Sequence, residues 1–314
     1  MMDMKELIMK SGLFFAISVF GVGVVTAADI IVCDQAGDQA IRVYDASLPG
    51  DSLGEPKWTW SGPRDPVIPA SMRKKFLGNL AECKPTADGK SVLVAACSGC
   101  WAVIDYDTCK AKAWGENKMM SHSIELLGDD IVAVVATGGK FHAGLLYLFD
   151  IKGDKALSPK KQNGTAFWFD NPHGLYWDPK TNILWVLDTP SLTPCAVSRA
   201  TDGKLTLVRL DAYSLVEKGV TYGHDLRLVP GTRLLALTTH EKVMFFDMDK
   251  RVFLDERSIL KRDVKAYDPG KDGKDLVTTA RTKWWTDTIE ICEDGKIRDY
   301  KKLPGAKIYK ARWK

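Results

Sequence analysis

Three histidines stand at equal intervals in three related phrases: Ser121-His122-Ser123, Pro172-His173-Gly174 and Gly223-His224-Asp225, with 51 residues from His122 to His173 and 51 again to His224. An imidazole titrates near neutrality, so His122, His173 and His224 are candidate bases or metal ligands once a fold gathers them. Val264-Lys265-Ala266 continues the series 41 residues after His224. Glu82, ten residues before Val92 as His122 is before Val132, and Lys310 in Tyr309-Lys310-Ala311-Arg312-Trp313 extend it at both ends. The expected set is a six-membered ring of Glu82, His122, His173, His224, Lys265 and Lys310.

Two chemistries suit such a ring. Three neutral imidazoles and the Glu82 carboxylate match a divalent transition metal, the one cofactor the residues suggest, and not calcium, which takes oxygen ligands. Lys265 and Lys310 oppose a dication, which turns the reading toward an anion such as the carboxylate of a uronate in an oligo- or polysaccharide. Cleavage of that polymer by β-elimination needs the carboxylate neutralised and a base at the adjacent carbon. One of the three histidines would be the base and Tyr222, beside Gly223-His224, the acid. Glu82, Lys84, Lys265, Lys310, Arg281 and Arg64 are the candidate substrate contacts. Trp284 and Trp285 offer faces for stacking. Glu82 has no second acid in the ring to make the carboxylate pair of a glycosidase, although Asp225 and Asp287 lie near in the motifs.

The elements that must position these groups are short strands. An apolar run follows each phrase about ten residues later: Val92, Ile131-Val132, Ile183-Leu184, Leu234-Leu235 and Leu276-Val277. A strand-rich repeat of about 40 to 50 residues is the mark of a β-propeller. The expected fold is all-β, a six-bladed β-propeller of four-stranded blades in one domain over residues 29–314. Asp29 to Asp34 and Ala40 to Asp45 match the second and third strands of later blades, so the C-terminal stretch Lys307 to Trp313 should supply the missing inner strand. Pairing of N- and C-terminal strands in one blade closes the circle and removes open edges. The segment Ser47 to Asn79 interrupts the repeat, with Trp58-Thr59-Trp60 as an outer strand. His142 falls out of phase and belongs to a turn.

Residues 1–28 differ in kind. Lys5 and Lys10 precede an apolar run from Leu13 to Val25, and Thr26-Ala27-Ala28 precedes Asp29, the pattern of a signal peptide for export to the periplasm or outside the cell. This run is too short for a convincing membrane span, and an exported monomer is expected. The net charge is +4, and eight of the last 19 residues are Lys or Arg, without the aromatic interleaving of a nucleic-acid surface. Of the seven cysteines, Cys97 and Cys100 flank an expected tight turn, where they would be a structural disulfide or small buried thiols rather than a redox pair.

Glu82-Cys83-Lys84, Pro172-His173-Gly174 with Trp177-Asp178 and Leu184-Trp185, Gly223-His224-Asp225-Leu226, Leu237-Thr238-Thr239 and Trp284-Trp285-Thr286-Asp287 resemble a family of exported bacterial WD-repeat-like propellers of unknown function. The resemblance implies fold and export and no activity. The functional expectation is an extracytoplasmic propeller that binds, and by one reading cleaves, an anionic carbohydrate. The alternatives are a non-catalytic ligand-binding or protein-interaction propeller and a His-ligated metal enzyme.

Overall fold

A computed structural model describes residues 29–138, 143–153 and 164–314. The expected leader over residues 1–28, and His142, lie outside the described residues.

The described strands form six antiparallel sheets. The chain begins with β1 (Asp29–Asp34), β2 (Ala40–Asp45) and β3 (Trp58–Trp60). Blade two is β4 (Leu80–Pro85), β5 (Ser91–Ala96), β6 (Cys100–Asp105) and β7 (Lys110–Glu116). Blade three is β8 (Met120–Leu127), β9 (Ile131–Thr137), β10 (Ala143–Asp150) and β11 (Thr165–Asp170). Blade four is β12 (Gly174–Asp178), β13 (Ile183–Leu187), β14 (Ser191–Arg199) and β15 (Leu205–Arg209), with the two-residue β16 (Tyr213–Ser214) added along β14. Blade five is β17 (Asp225–Leu228), β18 (Leu234–Thr238), β19 (Val243–Asp247) and β20 (Val252–Phe253). Blade six is β21 (Val264–Asp268), β22 (Asp275–Thr279), β23 (Thr288–Glu293) and β24 (Lys296–Lys302). The last strand, β25 (Ile308–Trp313), returns to pair antiparallel with β1, so blade one reads β25-β1-β2-β3 and the expected closure is observed.

The burial explains why the second strands are rich in apolar residues on both faces. Every residue of β5, Ser91-Val92-Leu93-Val94-Ala95-Ala96, is buried. Side chains alternate between the two faces of a strand. Accordingly Val92, Val94 and Ala96 pack toward blade one with Ile31, Ile41 and Trp60, while Leu93 and Ala95 pack toward blade three with Val132 and Val134. Equivalent clusters join blades three and four, four and five, and five and six. The cluster that closes the circle joins Ile30 and Val32 of β1 and Ile308 and Ala311 of β25 to Leu276 and Ile289 of blade six.

The long interruption Ser47 to Asn79 contains the expected strand β3 and then turns helical: single turns at Gly62–Arg64 and Lys74–Leu77 flank a short helix at Ala70–Arg73. Met72 and Phe76 from this segment enter the cluster between blades one and two, with Phe76 edge-on to Trp60. The segment is therefore packed against the fold.

Because β25 supplies the innermost strand of blade one, a chain truncated after Gly305 is expected to lose the cooperative unfolding transition. Urea denaturation followed by far-ultraviolet circular dichroism checks this, and a retained transition at the full-length midpoint would show closure to be dispensable.

Candidate active site at the channel mouth

The strand registers split the expected ring into two. In blades three and six the pairing skips one residue of the inner strand: Ser121 pairs Ala136 and Ser123 pairs Val135, leaving His122 in a bulge, and Lys265 is left likewise between Val264 and Ala266. In blade two the skipped residue is Ala81, because Leu80 pairs Ala96 and Glu82 pairs Ala95. His173 and His224 precede the first paired residues, Gly174 and Asp225. In β25 both Tyr309 and Lys310 lie between the paired residues Ile308 and Ala311. The registers thus align His122, His173, His224 and Lys265 with Ala81 and Tyr309. Glu82 and Lys310 belong one residue further along, with Ser123, Gly174, Asp225 and Ala266. The cause is a hairpin: four residues separate the Thr86 and Ser91 backbone pair, against three between Leu127 and Ile131, so equal spacing in sequence is not equal height in the channel.

The deeper layer is a buried ionic plug. Glu82, Lys310 and Arg312 are 0% exposed and Asp225 is 1% exposed. Lys310 Nζ donates to Glu82 Oε2 and to Asp225 Oδ1, both at 3.1 Å. Arg312 donates through Nη2 to Glu82 Oε1 at 2.9 Å and through Nη1 and Nη2 to Asp225 Oδ2 and Oδ1, both at 2.6 Å. Ser123 Oγ and the Cys83 and Tyr267 amides donate to the remaining carboxylate positions. Burial pushes the Glu82 carboxyl up, but Arg312, Lys310 and Lys84 outweigh it and hold it down to about 2. Burial likewise raises Asp225, and Arg312 and Lys310 bring it well below the carboxylate range. The quartet ties β25 to blades two and five across the axis, and Ser123 adds blade three. Gly174 gives blade four no side chain at this level; a Cβ there would stand 2.9 Å from Leu226 Cβ. Beside the plug, Lys84 Nζ reaches across to Glu125 Oε2 at 2.9 Å and to the Leu175 carbonyl at 2.8 Å, joining blades two, three and four.

These contacts correct three expectations. Glu82, Lys84 and Lys310 are saturated by protein partners and buried, so they are braces of the channel rather than substrate contacts. The metal set also fails on geometry: both Glu82 oxygens are taken by the Arg312 and Lys310 cations, and His122 and His173 stack at 4.2 Å and 29° instead of aiming at one point. Among the described residues no group of three His, Cys, Asp or Glu side chains is arranged to hold a metal ion.

The shallower layer gathers the imidazoles. His173 lies edge-on to His224 at 5.5 Å, His224 stacks on His240 at 4.7 Å, and His240 stacks on Tyr222 at 5.0 Å. Lys265 Nζ is 3.1 Å from His224 Nε2. An ammonium only donates, so Nε2 accepts and the His224 proton sits on Nδ1. His173 Nδ1 is 2.9 Å from the Asn171 carbonyl, so Nδ1 carries the proton and Nε2 keeps its lone pair. His122 Nε2 meets Thr137 Oγ1 at 2.9 Å. His122 Nδ1, His224 Nδ1 and Thr238 Oγ1 are buried with no hydrogen-bond partner among the described residues. Burial, reinforced by mutual repulsion and by Lys265 or Lys310, pushes His122 and His224 well below the usual range. Burial also takes His173 down to about 4, partly opposed by the Asn171 carbonyl. Burial lowers Lys265, with Asp263 restoring some of the loss. All three ring imidazoles are therefore neutral at neutral pH, and Lys265 is the cation among them.

The remaining candidates lie further out. Trp284, 44% exposed, sends Nε1 to Gln35 Oε1 at 3.0 Å, and Gln35 in turn donates to the Leu80 carbonyl, so this hairpin of blade six reaches over blade one. Trp285 is half-buried beneath the Lys307 ammonium. Arg281 is paired with Glu290, which also takes Lys261. Arg64 is exposed and paired with Asp38 rather than with a ring residue. Trp58 and Trp60 serve packing, against Tyr106 and Phe76. The seven cysteines are free thiols, and burial pushes Cys97 up to about 11 and Cys100 to about 12, which suits packing and not redox chemistry.

Sequence reasoning missed Arg312, Asp225 as a channel member, and His240. Arg312 was legible by alternation, two residues beyond Lys310 on the same strand face. His240 sits in the turn between β18 and β19, outside the repeat phase, and carried no signal.

A profile of a family of unknown function, DUF6528, matches residues 26–314. No curated protein matches the chain. Among solved structures it is similar to the β-propeller domain of Cps50 (Swd1) from Myceliophteria thermophila, with 13% identity, a TM-score of 0.51, and coverage of 85% of this chain and 80% of that one. That likeness is one of fold.

Arg312→Leu leaves two buried carboxylates with one cation and is expected to cost about 3–5 kcal/mol in urea unfolding. Glu82 gives the pH sign. Its folded pKa lies below the ordinary 4.5, so its contribution is present above that value and is lost as pH falls toward about 2. Wild-type stability should therefore drop across that acid window. A flat profile there would contradict the ionised plug.

Proposed function

The chain belongs to DUF6528, a family that brings a fold without an activity, and we propose that its channel mouth binds the carboxylate of an anionic carbohydrate. The observation that carries this reading is Lys265. It is a half-buried ammonium whose contact is a neutral imidazole, and among the described residues no carboxylate lies within ion-pair distance of it. A carboxylate entering the mouth would supply a direct countercharge, where Asp263 acts only from beyond contact. Any acceptor on the ligand could also satisfy the orphaned His224 N–H. Trp284 offers an exposed ring at the rim for a sugar face. The leader-like residues 1–28 support export, where such polymers are met.

Lys265→Gln removes one charge-assisted contact, worth about 1.5–3 kcal/mol, and should weaken binding of oligogalacturonate roughly ten- to a hundredfold by isothermal titration. Because burial depresses the Lys265 pKa, affinity should hold at neutral pH and fall as pH rises, starting below the usual lysine range. Binding unaffected by the substitution would refute the site.

A second reading, β-elimination, is favoured by the fixed tautomer of His173. Its Nε2 lone pair is free to take the proton at carbon 5 of a uronate whose carboxylate sits on Lys265. The electron pair forms the C4=C5 double bond, the C4–O bond breaks, and the departing oxygen takes a proton from the Tyr222 hydroxyl. The products are an unsaturated uronate and a shortened chain. His173→Ala should then lower the ultraviolet signal of the unsaturated product about 10²- to 10⁴-fold, with binding largely kept. If the wild type forms no such product, the mouth is a binding site alone.

A further inference from the structure

We infer that the mouth accepts the end of an acidic chain and not its interior; this rests on the anion-binding reading above. Depth is the first constraint on a ligand. His122, His173 and Lys265 are partly exposed, and one residue further along the inner strands Glu82 and Lys310 are 0% exposed and Asp225 is 1% exposed. At that layer the plug side chains are closed to solvent. Arg312 spans both carboxylates and Lys310 bridges the same two, so opening a passage would mean separating four buried charges at once. A buried charge stripped of its partner costs several kcal/mol, which no weak sugar contact repays. A ligand must therefore enter and leave by the same opening.

The wall on either side of Lys265 is the second constraint. On the blade five side His240 is stacked between Tyr222 and His224. Toward blade one, the Trp284 hairpin extends to Gln35. To set an interior carboxylate on Lys265, a polymer would have to lie across the mouth with both flanks passing over these aromatic walls. A terminal sugar needs only to insert, its carboxylate toward Lys265 and one flank leaving through the opening. The shape thus selects chain ends, and by the same logic any cleavage there releases small products stepwise.

The experiment is isothermal titration of the full mature chain with a trimer, a decamer and a long polymer of galacturonate, each at matched total uronate, alongside Lys265→Gln. Chain-end binding predicts that affinity per uronate falls in inverse proportion to chain length, and that the substitution weakens every member of the series. Affinity per uronate that stays constant or rises with length, still weakened by Lys265→Gln, would overturn the chain-end inference and leave the anion site standing. No binding at any length, or binding indifferent to Lys265→Gln, would overturn both.

Discussion

Four charges buried on the propeller axis govern the rest of the molecule. Two carboxylates and two cations at 0–2% side-chain exposure would be prohibitive singly, and they are tolerated because every one is matched in charge and in hydrogen-bond geometry. Apolar side chains at the axis would hold neighbouring blades together but would tolerate rotation and slippage. The Arg312 fork is directional: it fits both carboxylates only when β25, β4 and β17 stand at one height. The plug therefore fixes the relative register of blades that share no backbone ladder.

That register is what makes the mouth chemical. With Glu82 and Lys310 consumed below, the layer above holds neutral imidazoles and Lys265, an unusual environment for an ammonium. The rings of His122, His173, His224, His240 and Tyr222 follow one another beside Lys265, stacked except where His173 meets His224 edge-on. The electrostatics of the mouth come from what was removed to the floor as much as from what remains at the rim. Equal contributions from all six blades would have produced a symmetric ring. Instead, Ala81 and Tyr309 take the equivalent places in blades two and one, so the imidazoles line one side.

The fold was legible because the repeat is long, its turns are marked, and each second strand carries an apolar stretch buried in the sheet stack. The candidate site was half legible. His122, His173, His224 and Lys265 share a level because the same interval separates them from their second strands or because a bulge restores it. Glu82 was misplaced by one residue because a single extra residue in the turn around Asp88-Gly89 shifts the count without shifting the strand. Arg312 was hidden in a basic tail whose neighbours Lys302 and Lys307 are ordinary surface charges. Side-chain alternation along β25, taken with the closure that the termini already implied, would have exposed it. His240 lay beyond reach, since a turn residue acquires its partners only when the blades assemble.

The return of β25 to blade one carries a temporal consequence. Both cations of the plug, Lys310 and Arg312, lie within the last five residues of a 314-residue chain, and their acidic partners are made 85 and 228 or more residues earlier. During synthesis the first blade stands with an open edge, and Glu82 and Asp225 have no cations to meet. Contacts so distant in sequence form late and slowly. The ionic plug therefore cannot assemble until β25, which carries both cations, has been made, and the axis is the last part of the molecule to set.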